Sequence, residues 1–300
     1  MRRAALAAVL VVLACSEPGG VPAAGEEGGP LSVAVVNDPL AYFAQRIGGE
    51  HVEVIFPVPR DVDPALWFPD GEAVAAYQDA DLILLSGAGY AGWVQRASLP
   101  RAKLVDTSAA FAARLIPVES AVTHQHGPRG EHSHGGMAFT TWLDPTLAML
   151  QARAIADALA RARPEHEAAL RGGLSALEAD LRALDERLGA AARRLGAAPV
   201  VFSHPVYPYL ERRYRLHGRS VHWEPDQLPD AKMWHELENL LEVHSATVMI
   251  WEAEPLEATA TRLEASGLRS VVFAPGGNTP PAGDWLAVMQ DNAARLEAIR

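Results

Sequence analysis

Imidazoles and carboxylates recur in this chain at spacings that suit cation binding. The sequence places them at His204-Pro205, at His222-Trp223-Glu224-Pro225 and at Trp251-Glu252-Ala253-Glu254-Pro255, each closing a short run of β-branched and apolar residues. On an extended chain side chains alternate, so His222 and Glu224 share one face, as do Glu252 and Glu254 if their strand continues that far. Neutral imidazole combined with carboxylate suits zinc, and a rising carboxylate share shifts preference toward manganese. Taken singly, each residue is better read as a polar cap on the helix that follows. Three such ends in succession favour one shared site, with His204, His222, Glu224 and Glu252 as candidate ligands.

A second concentration is THQHGPRGEHSHGG, residues 123–136, which carries His124, His126, His132 and His134, four of the eleven histidines. Glycine-rich and without apolar periodicity, it predicts a loop open to solvent metal, an accessory collector rather than a site of fixed geometry. Enzyme signatures fail. His166-Glu167 has Leu170, and His235-Glu236 has Asn239, where a zincin helix needs its second histidine, and neither a Walker A motif nor G-x-S-x-G occurs. Ala274-Pro275-Gly276-Gly277-Asn278 reads as a plain turn, with a small anion nest as the alternative.

Strands must position these groups. LSVAVV (31–36), VEVIF (52–56), DLILL (81–85) and AKLVD (102–106) read as strands apolar on both faces, with helices around 39–48, 70–79 and 91–97 between them. A second set, PVVFS (199–203), RSVHWE (219–224), ATVMIWE (246–252) and LRSVVFA (268–274), alternates with helices near 205–216, 230–244 and 255–266, and a last helix falls near 283–299. The pattern predicts an α/β fold of two (β/α)4-like lobes with parallel sheets. After a helix from Pro145 to about Arg163, the stripe Leu170, Leu174, Leu177, Leu181, Leu184, Leu188 predicts one long bridging helix lying along both lobes. The expected domains are an N-terminal lobe over 31–163 carrying loop 123–136, the bridging helix over 164–196, and a C-terminal lobe over 197–300. Ligands of such sheets bind beyond the carboxyl ends of the strands, where the candidate groups fall.

The amino terminus predicts export. Arg2 and Arg3 precede an apolar run from Ala4 to Ala14, too short for a permanent span, and Val12-Leu13-Ala14-Cys15 resembles a bacterial lipobox. Residues 1–15 are therefore expected to be a lipoprotein signal ending at a lipid-bearing Cys15, and 16–30 a tether whose glycine, proline and glutamate content cannot support a core. Cys15 is the single cysteine, so no disulfide forms within the chain. A net charge of −11 without a basic stripe argues against nucleic acid and for cationic partners.

The stretches VAVVNDPLAYFAQRIGGEHVEV, VPRDVDPALWFP, DADLILLSGAGYAGWV, the histidine-rich loop ahead of TTWLDP, and VFSHPVYPYLERRYRL resemble the zinc- and manganese-type substrate-binding proteins of ABC importers over about 31–300. The resemblance implies two lobes joined by one long helix, a single divalent metal ion between them, an import permease as partner and a place on the periplasmic side of the cell envelope. Of the family's four ligand positions, only the third keeps its ligand, His204. The others fall on Ala65, Thr140 and Ala274. Glu252 matches a family glutamate preceding proline, and a loop histidine, His134 first, is expected to replace the missing N-lobe ligands. The expected function is capture of Zn2+, or next Mn2+, for import. Two alternatives remain: a metal chelate or small organic ligand held by Trp67, Trp142, Trp223 and the acidic strand ends, and an exported metallohydrolase.

Overall fold

The computed structural model describes residues 29–118, 123–125, 131–133 and 136–299. Strands β1 (Leu31–Val35), β2 (Val52–Ile55), β3 (Leu82–Leu85) and β4 (Leu104–Asp106) form a parallel sheet ordered β2-β1-β3-β4, with helices α1 (Asp38–Gly48) and α2 (Gly71–Asp79) between its strands. Short antiparallel ladders follow: β5 (Pro117–Val118) pairs with β8 (Gly136–Met137), and β6 (Thr123–Gln125) with β7 (Glu131–Ser133). Helices α3 (Pro145–Ala162) and α4 (Glu167–Leu195) lead to a second parallel sheet of β9 (Pro199–Phe202), β10 (His217–Ser220), β11 (Val248–Trp251) and β12 (Arg269–Val272). Its order, β10-β9-β11-β12, repeats that of the first, and α5 (Pro208–Tyr214), α6 (Ala231–Val243), α7 (Glu257–Ala265) and α8 (Trp285–Glu297) complete the chain.

Local chemistry sets most boundaries. Asn37, Asp70, Asp230 and Asp284 each accept from a backbone amide three residues on and start α1, α2, α6 and α8. Pro208 starts α5, and Arg215, in the left-handed region at φ 54°, ends it, so the helix is shorter than the expected 205–216. The stretch 91–97 is not an α-helix. Left-handed Ala91 (φ 55°) opens onto a 3-10 turn, Gly92–Gln95. Strand β10 ends four residues before the expected 224, yet pairing continues: the Val221 amide donates to Phe202 O (2.9 Å) and the Trp223 amide to Ser203 O (2.8 Å).

Helix α4 is the rod that the leucine stripe predicts. Leu170, Leu177, Leu181, Leu184 and Leu188 are buried, and the helix packs on α1 and α3 of the first half and on α5 and α8 of the second. A Cβ at Gly173 would lie 2.4 Å from the Ile47 carbonyl oxygen, so glycine there lets α4 close on the end of α1.

The segment from Phe273 to Pro280, between β12 and α8, is neither a nest nor a plain turn. It straps the halves together. Trp142 Nε1 donates to Pro275 O (2.8 Å), the Asp38 amide to Gly277 O (3.0 Å) and Arg60 Nη1 to Pro280 O (3.2 Å). Asn278 Nδ2 reaches back to Pro59 O (2.7 Å) and Val62 O (2.8 Å). Asp38, nearly buried beneath this strap, has its pKa pushed up to about 6 by burial and by the Asp284 charge, against the opposing pull of a Thr279 hydrogen bond and Arg60.

Candidate metal centre

Three strand ends converge in the second half. His204 follows β9, Glu224 lies beyond β10, and Glu252 follows β11 directly. Because β9 lies between β10 and β11, the three ends are neighbours at the point where the chain winds to either side of the sheet. One ligating atom from each of His204, Glu224 and Glu252 lies within 4.8 Å of the other two, and His204 Nδ1 is 3.7 Å from Glu224 Oε1. Bonds of about 2.1 Å in a tetrahedral site put donors about 3.4 Å apart, so side-chain shifts of about 1 Å suffice to close this set on an ion. Among the described residues, no other group of three such donors converges.

The alternation continues past the end of β10. Trp223 is buried against Trp234 and Trp251, with ring centroids 4.8 and 6.2 Å away, while Glu224 and His222 approach His204. The His222 ring is exposed and stands nearly perpendicular to that of His204, 5.7 Å between centroids. Partial desolvation lowers its pKa, opposed by the charge of Glu236. Glu254 is exposed past the end of β11 and joins no cluster. His204 is 8% exposed, which makes it the innermost donor.

Among the described residues, the charges that shift Glu252 are all negative. Burial, and then the charges of Glu224, Asp63 and Asp226, push Glu252 up to about 7. Asp63 is the contribution from the first half that sequence reading missed. It lies in the RDVDP loop that Asn278 holds, and its Oδ1 accepts from the Ala65 amide (2.9 Å). Buried Tyr207 donates to Phe273 O (2.8 Å), and its pKa is raised by burial and then by Glu252.

The three positions without a family ligand do other work. Thr140 Oγ1 donates to Val206 O (2.6 Å), and Ala274 exchanges two hydrogen bonds with the Asn292 amide (2.9 and 2.7 Å), while Ala65 closes the Asp63 turn. His124 and His132 pair across the β6–β7 ladder. His126 and His134 lie outside the described residues, as do Cys15 and residues 1–28. The organic-ligand alternative loses two of its three aromatic walls. Trp142 and Trp223 are each 2% exposed, and Trp142 spends its N–H on the strap, so neither offers a face to a ligand. No described helix is long and apolar enough to cross a membrane.

Two parallel α/β halves, one connecting rod and a cluster of cation donors at a switch point describe a metal-binding substrate-binding protein. The model of the family described as zinc-uptake complex component A, periplasmic, matches residues 33–299, and the chain belongs to that family. Members are non-enzymatic metal-binding transport components, which removes the metallohydrolase alternative. The chain is 26% identical over 249 residues to the high-affinity zinc uptake system protein ZnuA of Bacillus subtilis (strain 168), covering 82% of this chain and 78% of that protein. Its fold matches Zn(II)-bound AdcA from Streptococcus pneumoniae at a TM-score of 0.76 and 20% identity, over 90% of this chain but 57% of that one. The metal-dependent lipoprotein YcdH from Bacillus subtilis matches at 0.76 and 21% identity, over 89% and 98%.

Proposed function

We propose that this protein captures a divalent metal ion, zinc first and manganese next, and delivers it to an ABC import permease on the periplasmic side of the cell envelope. The inner donors are His204, Glu224 and Glu252, and lipid on Cys15 holds the protein to the membrane through the tether 16–30. The working body is the N-terminal lobe 31–163, the bridging helix 164–196 and the C-terminal lobe 197–300, with His124, His126, His132 and His134 collecting ions in loop 123–136. The observation that carries this reading is the convergence of one buried imidazole and two carboxylates at three adjacent strand ends. The uptake role of the Bacillus subtilis relative and the Zn(II)-bound state of the AdcA structure support zinc. One imidazole beside two carboxylates keeps manganese in contention.

Elemental analysis and calorimetry of the purified protein test this reading. About one Zn2+ per chain bound tightly, with weaker ions attributable to the loop, is the expected result, whereas a chain that binds neither zinc nor manganese refutes it. Cys15→Ser is expected to release the protein from the membrane fraction.

A further inference from the structure

His222 stands beside the inner cluster without belonging to it. Its ring is exposed at the rim, whereas that of His204, 5.7 Å away, is buried. Glu224, two residues along the same extended segment, is half-buried and already within 3.7 Å of His204. Exposed Asp226 continues the line outward, and Glu252 lies inward, largely buried. Donors are thus arranged as a gradient of exposure, with one carboxylate common to both ends.

We infer that His222 and Glu224 form an outer, transient station for the incoming divalent cation, from which the ion moves inward to His204 and Glu252 while Glu224 stays bound. This rests on the metal-centre reading above and adds a path to it. A hydrated ion entering a buried site directly must shed several waters before any protein donor replaces them. At the rim, His222 and one Glu224 oxygen replace two waters while solvent still covers the rest. Pivoting of the Glu224 carboxylate then carries the ion inward, where His204 and Glu252 take over. Each step exchanges one ligand for another, and no charge is left bare.

A station on the path lowers the barrier in both directions, which separates it from a ligand of the final complex. Loss of a true ligand speeds release. Loss of a station slows capture and release alike. Stopped-flow mixing of the full protein with Zn2+, with release followed by transfer to a fluorescent chelator, reads both rate constants. For His222→Ala and the more conservative His222→Gln, both are expected to fall at least fivefold together, with circular dichroism checking that each variant is folded. An off-rate that rises tenfold makes His222 an inner ligand and overturns the station, as do two rates that stay at their parental values. An unmutated protein that binds no zinc overturns the metal-centre reading and the station with it, whereas tight parental binding with unchanged His222-variant rates overturns the station alone.

Discussion

The Glu252 carboxylate is a cost that the folded protein carries while its site is empty, and removing that charge should make the empty protein more stable. In the fold its pKa is about 7, against an ordinary value of 4.5, because burial and three neighbouring carboxylates disfavour the charged form. A raised carboxyl favours folding fully below the unfolded value, and that contribution is lost as pH rises through the folded one. By linkage the loss is about 1.4 kcal/mol at pH 5.5 and approaches ~3 kcal/mol at pH 7.5. Glu252→Gln keeps shape and polarity but cannot ionise, so its advantage over the parent should grow from near zero at pH 4.5 to a few kcal/mol at pH 7.5. Urea unfolding of metal-free parent and variant across this range measures the difference, in which titrating groups that do not interact with Glu252 cancel. Zinc at one hundred times its Kd should return about 2.7 kcal/mol to the parent at pH 7.5, and much less to the variant. A parent–variant gap that stays flat with pH, or a variant less stable than the parent at pH 7.5, refutes the reasoning.

Further expectations concern the donors and the strap. His204→Ala should weaken zinc binding by a hundredfold or more in calorimetry while leaving the far-ultraviolet circular dichroism spectrum unchanged, because a strand-end imidazole supports little core. Asn278→Ala removes two interlobe hydrogen bonds and should cost about 1–3 kcal/mol in urea unfolding. Asp38, with a folded pKa of about 6 against 3.8, likewise destabilises the fold as pH rises from about 4 through 6, so Asp38→Asn should flatten that part of the thermal-unfolding profile. Deleting residues 123–136 should abolish the weak zinc ions and spare the tight one, as read by titration.

The candidate donors His204, Glu224 and Glu252 were legible in the sequence because they end runs of apolar, β-branched residues, and parallel α/β sheets place ligands at such ends. Their adjacency was not legible. Nothing in the local pattern of PVVFS, RSVHWE or ATVMIWE says that β9 lies between β10 and β11, and that order is what turns three scattered ends into one cluster. The leucine stripe of α4 gave its length because a single face repeats for many turns, while the need for Gly173 emerged only where α1 approaches. Asp63 was passed over because its role is electrostatic and depends on a loop held by Asn278, 219 and 216 positions away from its partners, Pro59 and Val62. The 91–97 stretch misled because its composition permits a helix, whereas left-handed Ala91 sets a backbone direction that an α-helix cannot follow.

The strap divides the labour of holding the halves together unequally between side chains and backbone. Apart from the Asp38 carboxylate, which accepts from Thr279, the acceptors in its interlobe bonds are main-chain carbonyls, at Pro59, Val62, Pro275, Gly277 and Pro280, and the side-chain donors are Arg60, Trp142, Asn278 and Thr279. A carbonyl is present whatever residue carries it. In a saturation scan, substitutions at Val62 or Pro280 should therefore be tolerated so long as the chain path survives, while Asn278 and Trp142 should accept few replacements. The placement of one lobe against the other is in this way written into a handful of side chains, and sequences can drift widely around them without shifting the two halves.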